Sequence, residues 1–339
     1  MLWLLALACK EAPADSVAPP LCGGEQGEIP SLPADDSLRF NQVQALGTHN
    51  SYHVEPDVLL DASLAFTHLP LADQLESQGV RQLELDIHWR KTGGFDVLHL
   101  PAIDPNTTCL ALEDCLCAVR TWSDEHPGHM PLVIWIEPKD DVDAISETYE
   151  LLEGHMLALD DAIHAVFPPE RLFEPDGLRG DAATLPEALA EHGWPTLGAL
   201  RGKVVFALLD TGSPRDEYVA ESPNLQGRAI FVNNNALDDP SSAMFKIDDA
   251  IGDAEFLSAA VAAGMVVTSN VDGVDEDDEH NEAQLAASLA IGSHFLSTNF
   301  PVPVEDRAYY AQIPDGHPAR CNPVTAATGC TSTDIEALP

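Results

Sequence analysis

The sequence predicts an α/β protein folded as one TIM-like (β/α)8 barrel, with some distortion expected. Two observations predict it. Short apolar runs alternate with helix-patterned stretches along most of the chain, which is the signature of a mostly parallel sheet. About eight such runs fall within roughly 300 residues, a spacing that suits a closed barrel better than an open sheet. An open doubly wound sheet is the competing architecture, but no glycine-rich phosphate loop supports it.

The expected strands are 42–46, 81–88, 97–100, 132–137, 204–209, 230–233, 265–268 and 294–297. The expected helices are 71–78, 110–125, 142–158, 185–191, 254–263 and 282–290. Gly79, Gly193, Gly264 and Gly292 stand where four of these helices should stop. No internal repeat is present. The barrel is expected to occupy residues 39–331, with a short tail at 332–339. Residues 10–38, rich in Pro, Ala, Gly and acids, read as a flexible tether. Residues 1–9, Met-Leu-Trp-Leu-Leu-Ala-Leu-Ala-Cys, are apolar but too short to span a bilayer. They resemble the end of a lipoprotein signal that lacks its basic start, with Cys9 as the acylated residue. A secreted or envelope-anchored protein is therefore expected.

The chain has 339 residues, 45% of them hydrophobic, so the bulk is globular. It carries 56 acidic and 16 basic residues, a net charge of -40, and only five lysines. Such a surface repels nucleic acid, whose phosphates need lysine and arginine. It also repels anionic lipid unless a cation intervenes. Most of the acids read as a solubilising surface suited to salt. Leaving Cys9 aside, six cysteines remain: Cys22, Cys109, Cys115, Cys117, Cys321 and Cys330. An even number outside the cytosol predicts disulfides. Cys321 should pair with Cys330, and Cys109 with Cys115 or Cys117. The competing reading is a zinc site with His126 and His129, but the usual Cys-x2-Cys pair is missing.

Barrel enzymes place their chemistry at the C-terminal ends of the strands. The first strand runs into Gly47-Thr48-His49-Asn50-Ser51-Tyr52-His53. The second reads Leu83-Glu84-Leu85-Asp86-Ile87, and alternation puts both carboxylates on the inner face. Buried neighbouring carboxylates are costly unless protonated, ion-paired or bound to a cation. A salt bridge is the plain alternative, yet basic residues are scarce, so a metal is the favoured partner. Glu137 ends the apolar run Val133-Ile134-Trp135-Ile136 and should lie over the barrel mouth. Glu84, Asp86, Glu137 and the Asn50 amide make an all-oxygen set, which suits Ca2+, with Mg2+ as second choice. Lys139 either pairs with Glu137 or holds a phosphate. His99 follows on a return hairpin. Two histidines beside a metal suit in-line phosphoryl transfer, one taking a proton and the other giving one. His88 ranks second to His99 and is a substrate-binding candidate, and His53 and His68 come after it.

These residues, together with Ala319-Arg320-Cys321-Asn322-Pro323-Val324-Thr325, resemble the bacterial type of calcium-dependent phosphatidylinositol-specific phospholipase C. The resemblance runs in order over residues 40–330. It implies a distorted barrel, His49 as general base and His99 as general acid. It also implies Asn50, Glu84, Asp86 and Glu137 as calcium ligands. The implied reaction cleaves phosphatidylinositol to diacylglycerol and a cyclic inositol phosphate. It implies a phospholipid or other phosphodiester substrate met at a membrane surface; a monomer is expected, though the sequence itself does not give the oligomeric state. One segment departs from the pattern: 269–279 is acidic where basic residues are expected, and reads as a solvated loop. Two other functions compete. One is a glycerophosphodiesterase or sphingomyelinase-D-like lyase on the same barrel. The other is a calcium-binding surface lipoprotein without catalysis.

Overall fold

The computed structural model describes residues 21–140, 146–305, 307–314 and 318–336. The lipoprotein-like segment and Cys9 lie outside the described residues. Eight parallel strands form the barrel: β1 (Val43–Thr48), β2 (Gln82–Arg90), β4 (Leu132–Pro138), β6 (Val204–Leu208), β7 (Phe231–Val232), β8 (Met244–Ile247), β9 (Val266–Asn270) and β10 (Phe295–Thr298). Three short antiparallel strands decorate it: β3 (Phe95–Val97) and β5 (Tyr149–Glu150) on β2, and β11 (Ala319–Cys321) on β1. The helices are α1 (Leu71–Ser77), α2 (Leu112–Glu125), α3 (Ala158–Val166), α4 (Pro175–Arg179), α5 (Leu185–Glu191), α6 (Leu197–Leu200), α7 (Ser213–Val219), α8 (Ala254–Ala262) and α9 (Asp278–Ile291).

The strand order is β7-β6-β4-β2-β1-β10-β9-β8, so the barrel is nearly closed. At the seam between β7 and β8, a side chain takes the place of a ladder. The Asn233 amide accepts from the Lys246 backbone N–H and donates to the Lys246 carbonyl, both at 3.1 Å. β4 and β6 are apolar along nearly their whole length because both faces are covered, one by helices and one by the barrel interior. Trp135 on β4 donates its indole N–H across the interior to Thr268 on β9. Gly47 is required where it stands, because a Cβ there would collide with the Gln82 side chain of the neighbouring strand. α9 starts at Asp277, which accepts the His280 N–H, and ends at Gly292 in the left-handed region (φ 86°).

Several expectations are corrected. Residues 97–100 do not form a barrel strand. β3 ends at Val97 and returns antiparallel on β2, and the missing eighth barrel strand is β8. The helix expected at 142–158 is absent over its described part, where Tyr149–Glu150 pairs with β2 and the helix begins only at Ala158. The disulfides are Cys321–Cys330 and Cys109–Cys115, both as expected, and Cys22–Cys117. The zinc alternative falls with them, since all six thiols are used. His126 pairs with Glu76, and His129 bonds to Ser123 and the Met130 carbonyl. The described part of the expected tether, from residue 21 onward, is mostly exposed up to residue 33 and is tied to the barrel at a few points. Cys22 is bonded to α2, Leu38 is buried, and Asp35 pairs with buried Arg201 at 2.6 Å.

Candidate active site

The turn after β1 is built by its own hydroxyls. Ser51 donates its N–H to the Glu84 carbonyl, and its Oγ accepts the Glu84 N–H at 2.8 Å, so the turn is stitched to β2. Thr48 donates to Gln74 of α1, and the Gln74 amide donates to the Ser51 carbonyl. Asn50 is held with φ at 44°, a left-handed conformation that asparagine tolerates better than most residues. The result places His49 and Asn50 over the barrel mouth. Both line a cleft of about 530 Å³ together with Glu84, His99, Glu137, Lys139 and Lys246. Ser63, Leu64 and Phe66 form part of its wall.

One oxygen from each of Glu84, Asp86 and Glu137 can be chosen so that all three lie within 4.8 Å of one another. Glu84 and Asp86 are fully buried. Apart from ion pairs with lysines and the buried Tyr52 hydroxyl beside Asp86, their carboxylate oxygens have no hydrogen-bond partner, and neither does Asn50 Oδ1. Orphaned buried oxygens of this kind, convergent and hard, fit a Ca2+ or Mg2+ ligand set. Lys139 Nζ lies 2.6 Å from Glu137 and 3.3 Å from Asp86, and Lys246 Nζ lies 3.1 Å from Glu84. Burial pushes the Asp86 carboxyl up to about 6, with Lys139 pulling against it and Glu137 and Glu84 pushing further. Burial works against both ammonium groups, but the carboxylates outweigh it and hold them above the ordinary lysine value.

The two cleft histidines have different supports. His49 Nδ1 lies 2.9 Å from Asn299 Oδ1, and Asn299 donates its Nδ2 and its backbone N–H to Asp272. Thr298 and Tyr309 hydroxyls also donate to Asp272. Burial raises the Asp272 carboxyl, and these hydrogen bonds oppose the rise. His99 Nδ1 lies 2.8 Å from Asp104, whose carboxylate also meets His53 Nε2. Burial disfavours the Asp104 charge, yet the bonds from His53 and His99 prevail and hold its carboxyl below the ordinary value.

The other histidines are engaged elsewhere. His88 is buried outside the cleft lining and donates Nε2–H to the carbonyls of Leu98 and His99, so it props the turn that carries His99. His53 meets the Phe66 carbonyl and Asp104. His68 donates to the His49 carbonyl, and burial drives it down to about 3. Lys246, Asn299, Asp272 and Asp104 were not singled out by sequence. Asp272 belongs to the acidic run read as a solvated loop, and it is instead half-buried and hydrogen-bonded into the network that carries His49. A second, mainly apolar cavity of about 310 Å³ lies around Trp122 at the other end of the barrel, with its Arg81–Glu336 and His126–Glu76 charges paired.

The fold is similar to that of the calcium-dependent phosphoinositol-specific phospholipase C of a Gram-negative Pseudomonas species. The TM-score is 0.60 and the identity 22%, over 86% of this chain and 98% of that one. It is similar also to the Ca2+-dependent phosphatidylinositol-specific phospholipase C of Streptomyces antibioticus, with a TM-score of 0.57 and 20% identity over 78% and 96%. No curated protein matches the sequence. Residues 38–95 and 88–323 match the family model of Ca2+-dependent phosphoinositide phospholipase C, and the chain belongs to that family of phosphodiesterases.

Proposed function

We propose that the protein cleaves phosphatidylinositol in a calcium-dependent reaction, with His49 as general base and His99 as general acid. The carrying observation is the unequal support of the two rings at one cleft. Asn299 uses its amide nitrogen on Asp272, so its oxygen faces His49 and requires a proton on Nδ1. Nε2 of His49 then keeps its lone pair and can take the proton of an inositol ring hydroxyl. Asp104 beside Nδ1 of His99 suits a ring that carries positive charge until Nε2–H protonates the diacylglycerol oxygen. Attack of the ring hydroxyl gives a cyclic inositol phosphate, and water can open it with the two roles exchanged. Each proton transfer of this kind contributes roughly 10²–10⁴-fold in rate.

Asn50, Glu84, Asp86 and Glu137 are the residues that would hold calcium, and the bound ion would neutralise negative charge on the phosphate. Lys139 stands at the same wall as a further cation for the anionic substrate. The disulfides favour secretion. No helix among the described residues is long and apolar enough to cross a membrane. Val58 and Leu60 are two-thirds exposed, and Leu59 is half-exposed, on the loop that goes on to form the cleft wall. That loop is the surface we assign to contact with lipid.

The test is release of diacylglycerol from phosphatidylinositol with and without calcium, for wild type, His49→Ala and Glu84→Gln. Calcium-dependent release lost in both variants supports the reading. Cleavage of a glycerophosphodiester or choline lipid instead would keep the site and change the substrate. No turnover of any phosphodiester would leave a calcium-binding surface protein.

A further inference from the structure

The carboxylate triad already has two cations of its own, and they are held differently. Lys246 lies within β8, its side chain is 1% exposed, and Asn233 clamps its backbone on both sides. Lys139 lies just past the end of β4, where its N–H extends the β4–β2 ladder to the Ile87 carbonyl. Among the described residues, no backbone clamp like that of Asn233 on Lys246 holds it further. Its side chain is 15% exposed at the cleft wall, on a flexible four-carbon stem. Its ammonium lies between Glu137 and Asp86, two of the three residues that converge as a ligand set. The three carboxylates sum to a charge of about −3, and the two lysines leave about −1. A divalent ion held by the same oxygens would share that space with the Lys139 ammonium, at a separation where like charges repel strongly.

We propose that Lys139 is a displaceable internal cation. Its ammonium neutralises Asp86 and Glu137 until calcium takes those oxygens, and it then turns out into the cleft, where the phosphate of the substrate lies. Lys246 stays on Glu84 throughout. Calcium binding is therefore an exchange of one cation for another, and the calcium affinity of the site is set by competition with Lys139. This inference rests on the calcium reading above and names the residue that regulates the site.

The experiment titrates calcium calorimetrically into the full chain as wild type, Lys139→Met and Lys139→Arg. In parallel, wild type is labelled with an amine-reactive reagent with and without calcium and read by peptide mass spectrometry. Methionine keeps the bulk without the charge or a hard ligand atom, so Lys139→Met should bind calcium roughly tenfold more tightly or better. Lys139→Arg, which keeps the charge, should bind no more tightly than wild type. In wild type, calcium should raise labelling of Lys139 several-fold and leave Lys246 protected. Unchanged or weaker calcium binding by Lys139→Met overturns the exchange, as does labelling of Lys139 that calcium leaves unaltered. The labelling result decides alone if Lys139→Met does not fold. Absence of calcium binding in wild type and both variants would defeat the calcium reading itself, and this inference with it.

Discussion

Nδ1 of His49 lies 2.9 Å from Oδ1 of Asn299, and the amide nitrogen and backbone N–H of Asn299 both donate to Asp272. An amide oxygen can only accept, so this contact fixes which nitrogen of His49 faces the cleft with a lone pair. A neutral partner does so without adding charge next to the ring we propose as the base, which would have to be unprotonated to act. Replacing Asn299 by Ala should lower kcat by about 10–100-fold with little change in KM, because the ring loses its orientation and not its substrate contacts. Asn299→Asp should be distinctive. A carboxylate there would favour the protonated ring, so the acidic limb of the pH–rate profile should move to higher pH. An unmoved limb in Asn299→Asp would show that Asn299 does not govern His49.

Asp104 performs the opposite service for His99. It is buried, its carboxyl is held below the ordinary value by the bonds from His53 and His99, and it offers negative charge to the ring we propose as the proton donor. Asp104→Asn should move the alkaline limb to lower pH and reduce kcat by about 10–100-fold on lipid. The loss should be much smaller on a phosphodiester with an aryl leaving group, which departs without protonation. Equal losses on both substrates would mean that Asp104 acts on the fold and not on the proton donor.

The barrel and much of the cleft were legible in the sequence because their signals are local. Leu83 to Ile87 alternates, so Glu84 and Asp86 had to share a face. Glu137 closes a run too apolar to be anything but a covered strand. β8 was not legible, because Met244-Phe245-Lys246-Ile247 carries a lysine at an inward position and is too short for a periodic signal. The Lys246 charge makes sense only against Glu84, which lies more than 160 residues away in sequence. The supports of His49 were hidden for the same reason, since Asp272 and Asn299 follow two different strands, β9 and β10. Tyr149 lies in a stretch with a helical pattern, and only its pairing with Arg90 of β2 makes it a strand. Its strand adds to the end of β2, and its hydroxyl donates to Asp96.

The exposed loop at Val58-Leu59-Leu60, which we propose meets the lipid surface, allows binding to be tested apart from chemistry. Burying a leucine in an apolar phase contributes about 1.5–3 kcal/mol. Leu60→Ser with Leu59→Ser should therefore reduce activity on phosphatidylinositol vesicles by roughly tenfold or more. Activity on a short-chain monomeric substrate should change little, since neither side chain belongs to the cleft wall. Vesicle sedimentation measures the binding step directly. Equal losses on vesicles and monomers would remove the loop from the lipid surface.

Buried histidines make the fold sensitive to acid in a defined window. Burial depresses His68 to about 3, and His129 and His294 to about 4, from an ordinary value of 6.5. The geometry at His294 gives the cause in detail. Its Nδ1 accepts the Val267 N–H, and its Nε2–H donates to the Asn41 carbonyl, so a second ring proton would point at a donor. The sign follows from proton counts. Below about pH 6.5 the unfolded chain takes up protons on these rings, while the folded chain does not. Their contribution is therefore complete above that pH and is lost as pH falls from 6.5 towards 4, by up to roughly 3 kcal/mol for each ring. Relief of self-repulsion acts the other way, but the carboxylates that carry the net charge protonate mostly near pH 4, at the lower end of the window. Urea midpoints measured at pH 7.5, 6 and 5 should fall steadily. His294→Gln should be less stable than wild type at pH 7.5, since it disturbs two buried bonds, yet lose less between pH 7.5 and 5. A wild-type midpoint that rises between pH 7.5 and 5 would show that charge repulsion, and not the buried rings, governs stability in that range.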